Sequence, residues 1–148
     1  MRIAMGSDHV GLDLKEHLTR HLGARGVEVV DLGCRGHRRC DYPVFGTAVA
    51  RAVTSGEADL GVLACGTGVG ISIAANKVGR ARACACSDTY SARLSRQHND
   101  ANIIAMGAMV VGPGLAEQIV DAWLDASFEG GRHGRRVAML DGRTTTLA

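Results

Sequence analysis

Residues 60 to 77 read Leu-Gly-Val-Leu-Ala-Cys-Gly-Thr-Gly-Val-Gly-Ile-Ser-Ile-Ala-Ala-Asn-Lys, which predicts a buried strand, a glycine-rich turn and a helix. The apolar run ends at Cys65, and Gly66, Gly68 and Gly70 allow backbone conformations that a side chain would forbid. N–H groups at the start of a helix have no partner within it, so this turn can hold an anion or an oxygen that gains negative charge. Because open parallel sheets bind ligands at the carboxyl ends of their strands, we expect Cys65 to face a ligand.

The glycine pattern differs from two common nucleotide-binding motifs. A dinucleotide fingerprint requires Gly-x-Gly-x-x-Gly, but its last position is Ile71 when counted from Gly66 and Ile73 when counted from Gly68. No Lys-Ser or Lys-Thr pair follows at the spacing of a P-loop. The alternative to a ligand site is a tight turn beside a packed cysteine, since free cysteines are often buried.

Composition favours a single ordered globular domain and argues against polymer and membrane partners. The 148 residues, 46% of them hydrophobic and 22% charged, predict a single domain over 1–148. A net charge of +2 and an aromatic content of 3% argue against nucleic acid as a partner. The N-terminal segment lacks the pattern of a signal peptide or a membrane span, which predicts a cytoplasmic protein without a membrane partner. Five cysteines without a Cys-x-x-Cys pair are expected to be reduced thiols.

Apolar periodicity alternates between strand-like and helix-like segments five times along the chain. This alternation predicts an α/β fold with a doubly wound, five-stranded parallel sheet. The predicted strands are 2–5, 27–32, 60–65, 81–86 and 103–106, and the predicted helices are 12–22, 44–54, 71–77, 89–98 and 113–126, followed by a basic C-terminal tail that is expected to be helical.

Several polar residues stand where predicted strands or helices end. Asp8 and His9 follow the first strand, at the edge predicted for Cys65, although a capping aspartate and a solvated histidine would explain them too. Tyr42 carries a hydroxyl that can reach a polar ligand, and an ordinary turn explains it equally well. His98 ends a helix, where it is either a solvated cap or, beside a cleft, a proton donor near neutral pH.

Two further groups of residues leave their chemistry open. Cys34, His37 and Cys40 are evenly spaced in one loop, but zinc would require a fourth ligand, so a metal or redox role is only an alternative. Arg132 and Arg136 lie four residues apart, and a helical tail would put both guanidinium groups on one face, where they suit a phosphate dianion. A solvated basic tail fits that spacing as well.

Taken together, the motifs resemble those of the type B ribose-5-phosphate isomerases. The resemblance covers nearly the whole chain, in Ser-Asp-His-Val-Gly at 7–11, Asp-Tyr-Pro at 41–43, Cys-Gly-Thr-Gly-Val-Gly-Ile-Ser at 65–72, Ala-Asn-Lys at 75–77, Ser-Arg-Gln-His-Asn-Asp at 95–100 and Glu-Gly-Gly-Arg-His at 129–133. The wider family includes isomerases of galactose 6-phosphate, allose 6-phosphate and phosphorylated tetroses. The resemblance implies a Rossmann-like fold, aldose–ketose isomerisation of a sugar phosphate without metal or cofactor, and a homodimer or homotetramer with its sites at the subunit interface.

The resemblance also implies a role for each candidate residue. Cys65 would be the base that moves a proton between C1 and C2, and His98 would help to open the sugar ring. The remaining roles are enediolate stabilisation by Thr67 and the backbone amides of Gly66, Gly68, Val69 and Gly70, hydroxyl binding by Asp8, Tyr42 and Asn99, and phosphate binding by His9, Arg132 and Arg136.

One position departs from the family pattern. Met109 stands where many members carry an arginine that helps to bind phosphate. The identity of the sugar is therefore left open, and a non-catalytic sugar-phosphate binding domain is a further alternative. Such a domain would have no need of Cys65 or His98.

Overall fold

The computed structural model describes residues 1–142, which form a five-stranded parallel sheet with helices on both faces. The strand order β2-β1-β3-β5-β4 confirms the predicted doubly wound α/β fold. The strands are β1 (Arg2–Ser7), β2 (Glu28–Asp31), β3 (Leu60–Cys65), β4 (Ala83–Ala85) and β5 (Ile103–Gly107), and the helices are α1 (Leu12–Ala24), α2 (Tyr42–Ser55), α3 (Val69–Ala75), α4 (Thr89–Asn99), α5 (Pro113–Leu124) and α6 (Arg132–Leu140).

The stretch around Cys65 occupies the centre of the sheet. β3 pairs with β1 on one side and with β5 on the other, and all six of its residues are buried. A strand covered on both faces is apolar throughout, which explains its continuous apolar run. One core lies under α1 and α5 and includes the fully buried Trp123, and the other lies under α2 and α3.

Most element boundaries agree with the sequence prediction to within two residues. α2 begins at Tyr42 because Pro43 fits the first turn of a helix, where its missing N–H is not needed. α3 begins at Val69, directly after Gly68 at φ +79°. β4 is shorter than predicted and leaves Cys86 just beyond the strand, still buried in the core.

Within the described residues, Arg132–Leu140 forms a helix in the tail, as predicted. α6 packs against α4 through its buried residues His133 and Val137, while Arg132 and Arg136 are exposed. No helix within residues 1–142 has the length and apolarity needed to cross a membrane.

Candidate active site

The carboxyl end of β3 holds a buried thiol beside a glycine turn. Cys65 is 4% exposed, and its Sγ accepts the N–H of Gly68 at 3.2 Å. A donated N–H stabilises negative charge on sulfur. The next N–H groups, those of Val69 and Gly70, belong to the first turn of α3, where amides lack helical partners. The turn therefore combines a nucleophilic or basic atom with donors for a developing anion.

The turn needs glycine because it packs against the backbone of β5. A Cβ on Gly68 would lie 2.9 Å from the carbonyl carbon of Met106, and a Cβ on Gly107 would lie 2.7 Å from Cα of Thr67. Thr67 itself is exposed, and its Oγ1 accepts the N–H of Val69 at 3.4 Å. Close backbone packing thus fixes the turn while leaving the Thr67 side chain accessible.

Asp8 and His9 lie on the same edge of the sheet, at the end of β1. The carboxylate of Asp8 is buried, and its Oδ1 accepts the N–H groups of Val10 and Gly11 at 3.0 and 2.9 Å. Nδ1 of His9 accepts the N–H of Cys40 at 3.3 Å. Asp8 therefore orders the turn before α1 without capping the helix, which begins at Leu12 after Gly11 and has no side-chain cap. His9 is oriented by the loop that precedes α2.

Tyr42 reaches the glycine turn from the first residue of α2. A Cβ on Gly70 would lie 2.7 Å from Cζ and 2.9 Å from Oη of Tyr42, so only a glycine at this position leaves room for the phenol. Tyr42 is 40% exposed. Its hydroxyl group is thus held at the start of α3, close to the donors beside Cys65.

The other candidate residues form a second group around a histidine pair. The rings of His98 and His133 are stacked at 4.2 Å with an angle of 6° between their planes. Oε2 of Glu129 lies 3.7 Å from Nε2 of each histidine, and Nε of Arg132 donates to Nε2 of His133 at 3.3 Å. Burial, followed by the charges of His98 and Arg132, lowers the pKa of His133. Arg136 follows one turn later on α6.

The two groups lie on opposite edges of the sheet. Helices of a doubly wound fold run antiparallel to the strands, so α4, which ends at Asn99, brings His98 to the amino edge. Cys65 is paired with Gly107 at the carboxyl end of β5, whose five residues span roughly 13 Å. One chain therefore brings together Cys65, Thr67, Asp8, His9, Tyr42 and the glycine turn, and separately His98, Asn99, Arg132 and Arg136.

His133 and Glu129 are two members of the second group that sequence reasoning missed. They lie four residues apart in Glu-Gly-Gly-Arg-His, a spacing that could have signalled a shared contact. Within residues 1–142, His98, Glu129 and His133 are the one group of three side chains close enough to hold a metal ion. The guanidinium of Arg132, which donates to His133, opposes a cation there.

The loop of Cys34, His37 and Cys40 does not bring all three side chains together. Sγ of Cys40 lies 3.2 Å from Sγ of Cys34, whereas Nε2 of His37 lies 3.5 Å from a carboxylate oxygen of Asp13. Those distances separate the cysteine pair from the histidine that the sequence spacing suggested as a third ligand.

Met109 lies over the glycine turn. Its side chain is 79% exposed, its N–H donates to the carbonyl of Gly66 at 3.0 Å, and its Sδ lies 3.5 Å from the point where a Cβ on Gly66 would stand. The residue at position 109 therefore borders the space in front of Cys65. A basic side chain there would add positive charge to the mouth of the site.

Comparison with known proteins assigns the chain to a family. A model of the family described as Ribose/Galactose Isomerase matches residues 3–140. The chain belongs to the ribose/galactose isomerase family.

Relatives agree with this assignment over almost the full length. Ribose-5-phosphate isomerase B of Escherichia coli is 59% identical over 94% of this chain and 93% of its own. D-erythrulose-4-phosphate isomerase of Pectobacterium atrosepticum is 44% identical over 95% of this chain and 93% of its own. The structure of ribose-5-phosphate isomerase B from Clostridium thermocellum superposes with a TM-score of 0.95 at 55% identity, over 96% of each chain. The protein is therefore an isomerase enzyme, and the family resemblance stated from its motifs is confirmed.

Proposed function

We propose that the protein interconverts ribose 5-phosphate and ribulose 5-phosphate by proton transfer through an enediolate. The observation that carries this proposal is the buried Cys65 thiol, which accepts the Gly68 N–H at 3.2 Å at the start of α3, where backbone amides lack helical partners. The 59% identity to the E. coli ribose-5-phosphate isomerase B supports this choice of sugar. We take residues 1–148 as one catalytic domain of a cytoplasmic enzyme that needs neither metal nor cofactor.

Proton transfer is assigned to Cys65. As a thiolate, its sulfur would take the proton from C2 of the open-chain aldose and return it to C1 of the enediolate, giving the ketose. The oxygens of this intermediate gain negative charge, which the amides of residues 66–70 and the hydroxyl of Thr67 would stabilise. The sulfur is buried, and the Gly68 N–H is the donor that would support a negative charge on it during proton transfer.

The complete site requires two subunits. Ring opening needs a proton relay, and His98 is the candidate, yet it lies at the amino edge while Cys65 lies at the carboxyl edge. A homodimer, alone or within a homotetramer, resolves this separation by placing the amino edge of one subunit against the carboxyl edge of its partner. Each site would then combine Cys65 with the partner subunit's His98, and each dimer would hold two sites.

Substrate binding divides between the same two surfaces. Asp8 and Tyr42 would bind sugar hydroxyl groups together with the partner subunit's Asn99. The phosphate would lie between His9 and the arginines at 132 and 136 of the partner, both of which are exposed and free of carboxylate contacts among residues 1–142. Two guanidinium groups on one helix face match a dianion in both charge and geometry.

A second substrate class is favoured by one observation. Met109 brings no positive charge to the mouth of the site, so the phosphate would be held at a different distance from Cys65 than in relatives with arginine. A phosphorylated tetrose is the leading alternative, because the D-erythrulose-4-phosphate isomerase of P. atrosepticum is 44% identical. Allose 6-phosphate and galactose 6-phosphate are the longer alternatives.

The test is aldose–ketose conversion of pentose, tetrose and hexose phosphates after exhaustive chelation. We expect ribose 5-phosphate to give the highest kcat/KM, and Cys65→Ala to lose 10²–10⁴-fold or more in turnover as expected for a missing general base. Cys84→Ala is the matched control, since Cys84 packs against the core away from the turn. Equal losses in both variants, or turnover that returns only with added zinc or magnesium, would contradict the mechanism.

A further inference from the structure

Two cysteine side chains meet in the loop between β2 and α2. Sγ of Cys40 lies 3.2 Å from Sγ of Cys34, and both are free thiols. A disulfide has an S–S length near 2.05 Å, so the sulfurs need to approach by about 1.2 Å to form a bond. The other three cysteines lie on β3 and at β4.

Cys34 is fixed by its own backbone. Its N–H donates to the carbonyl of Ser7 at 3.1 Å, and its carbonyl accepts from Nζ of Lys15 at 3.0 Å. That ammonium is fully buried and also binds the carboxylate of Asp31 at 2.6 and 2.7 Å. The Cys34 sulfur is therefore held in place, and its S–H also donates to the carbonyl of Gly36 at 2.8 Å, a bond that closure must break. We expect most of the movement at Cys40, which is half-buried in a loop.

A metal fits this pair less well than a covalent bond. Nδ1 of His9 lies 4.0 Å from Sγ of Cys40 but already accepts the Cys40 N–H, so its lone pair is not available to a metal. His37 is turned toward Asp13. The pair thus has two sulfur atoms in contact and lacks the third and fourth ligands that zinc requires.

We propose that Cys34 and Cys40 form a reversible intramolecular disulfide by exchange with a small-molecule disulfide such as oxidised glutathione. The more exposed Cys40 attacks as a thiolate, breaks the glutathione S–S bond and releases one glutathione thiolate, which takes up the proton that Cys40 lost. The Cys34 sulfur then attacks Cys40 in this mixed disulfide and releases the second glutathione, with the proton of Cys34. The two protein thiols are oxidised by two electrons, and one glutathione disulfide is reduced to two thiols.

The surroundings of Cys40 set the speed of this exchange. The pKa of Cys40 is raised most by its burial, then by its hydrogen bond to Cys34 and the charge of the Cys34 sulfur, and least by the charge of Asp8. The hydrogen bond with His9 lowers this pKa. The thiolate fraction at neutral pH is therefore small, and the exchange rate should still rise with pH above the ordinary thiol value of 9.0.

Oxidation of the Cys34–Cys40 pair would also change the geometry of the substrate site, a consequence that rests on the proposed function. The N–H of Cys40 orients His9, the assigned phosphate ligand, through a hydrogen bond of 3.3 Å. Movement of Cys40 toward Cys34 lengthens or bends this bond. We expect the disulfide to raise KM for ribose 5-phosphate with little change in kcat, because Cys65 is not involved.

The test counts free thiols in the full chain after equilibration with buffers that contain an increasing ratio of oxidised to reduced glutathione. Under denaturing conditions, we expect the count to fall from five to three and to return to five with dithiothreitol, and peptide mapping to show a Cys34–Cys40 link. Cys34→Ser and Cys40→Ser should each abolish the link, whereas Cys84→Ser should keep it.

Three results would overturn the proposal. They are five thiols at every buffer composition, a stable glutathione adduct without ring closure, or zinc retained by the purified protein and lost in Cys40→Ser. Because the thiol count does not involve turnover, it stands even if no sugar phosphate is isomerised. Failure of the isomerase assignment and failure of the disulfide are thus distinguishable.

Discussion

Gly68→Ala tests whether the geometry of the turn at Cys65 supports catalysis. Gly68 has φ +79°, and a left-handed conformation costs an alanine about 1–2 kcal/mol. Its Cβ would lie 2.9 Å from the carbonyl carbon of Met106, which is 0.5 Å inside the 3.4 Å at which ordinary contact begins. Because the obstacle is backbone, the turn must move, and such overpacking adds about 1–3 kcal/mol.

The shift should also displace the Gly68 N–H from the Cys65 sulfur. We expect kcat to fall on the order of a hundredfold, as when a donor is removed from an oxyanion site. Gly56→Ala is the matched control, since Gly56 has φ +85° and, apart from its two chain neighbours, no residue among 1–142 has an atom within 4 Å of an added Cβ. It should lose only the conformational part of the stability and retain full turnover. Chemical denaturation and steady-state kinetics of both variants make the comparison. Wild-type kcat in Gly68→Ala, with a stability loss equal to that of the control, would refute the reasoning.

Three further predictions concern binding, stability and pH. Met109→Arg should lower KM for ribose 5-phosphate by about ten- to a hundredfold with little change in kcat, because it adds one charge-assisted contact, and an unchanged KM would contradict this. Lys15→Met should reduce the free energy of unfolding by about 1–3 kcal/mol, because it removes the hydrogen bonds of a buried ammonium to Asp31 and to the Cys34 carbonyl, while the remaining Asp31 carboxylate is partly solvated. By the same denaturation assay, Arg2→Met at an exposed pair should cost less than about 1 kcal/mol. The pKa of His133 in the folded protein lies below its ordinary value of 6.5, so the unfolded chain binds this proton more tightly. The free energy of unfolding should therefore fall as the pH decreases from 6.5 toward the lower pKa of the folded state. In unfolding curves measured over this pH range, His133→Asn should flatten the fall, and His37→Asn should not.

The sequence was sufficient to predict the sheet, because each strand has its own apolar pattern and each helix is bounded by residues that favour a helix start or end. Gly68 and Pro43 mark helix starts through their backbone geometry alone, so α3 and α2 could be located to within two residues. Asp8 and Cys65 share an edge as predicted, because both follow strands of one parallel sheet.

The association of side chains from distant segments could not be predicted in the same way. The stack of His98 on His133 depends on how α6 packs against α4, and no local pattern encodes this contact. The 3.2 Å approach of Cys34 to Cys40 depends on the buried ammonium of Lys15, which fixes the loop from another element. Their spacing had suggested a shared site with His37, but the loop conformation directs that ring to an exposed carboxylate instead.

Mixing two inactive variants tests most directly whether each site is built from two subunits. Cys65→Ala removes the base from the carboxyl edge, and His98→Ala removes the proton relay from the amino edge. After subunit exchange in equal amounts, about one quarter of the sites should combine an intact Cys65 with a partner's intact His98, and about one quarter of wild-type activity should return. Mixing Cys65→Ala with Asp8→Asn, which changes the same edge, should give no more than the average of the two variants. If the first mixture stays inactive although exchange is verified by mass spectrometry, the two edges do not form one site, and the account of an intersubunit isomerase is wrong.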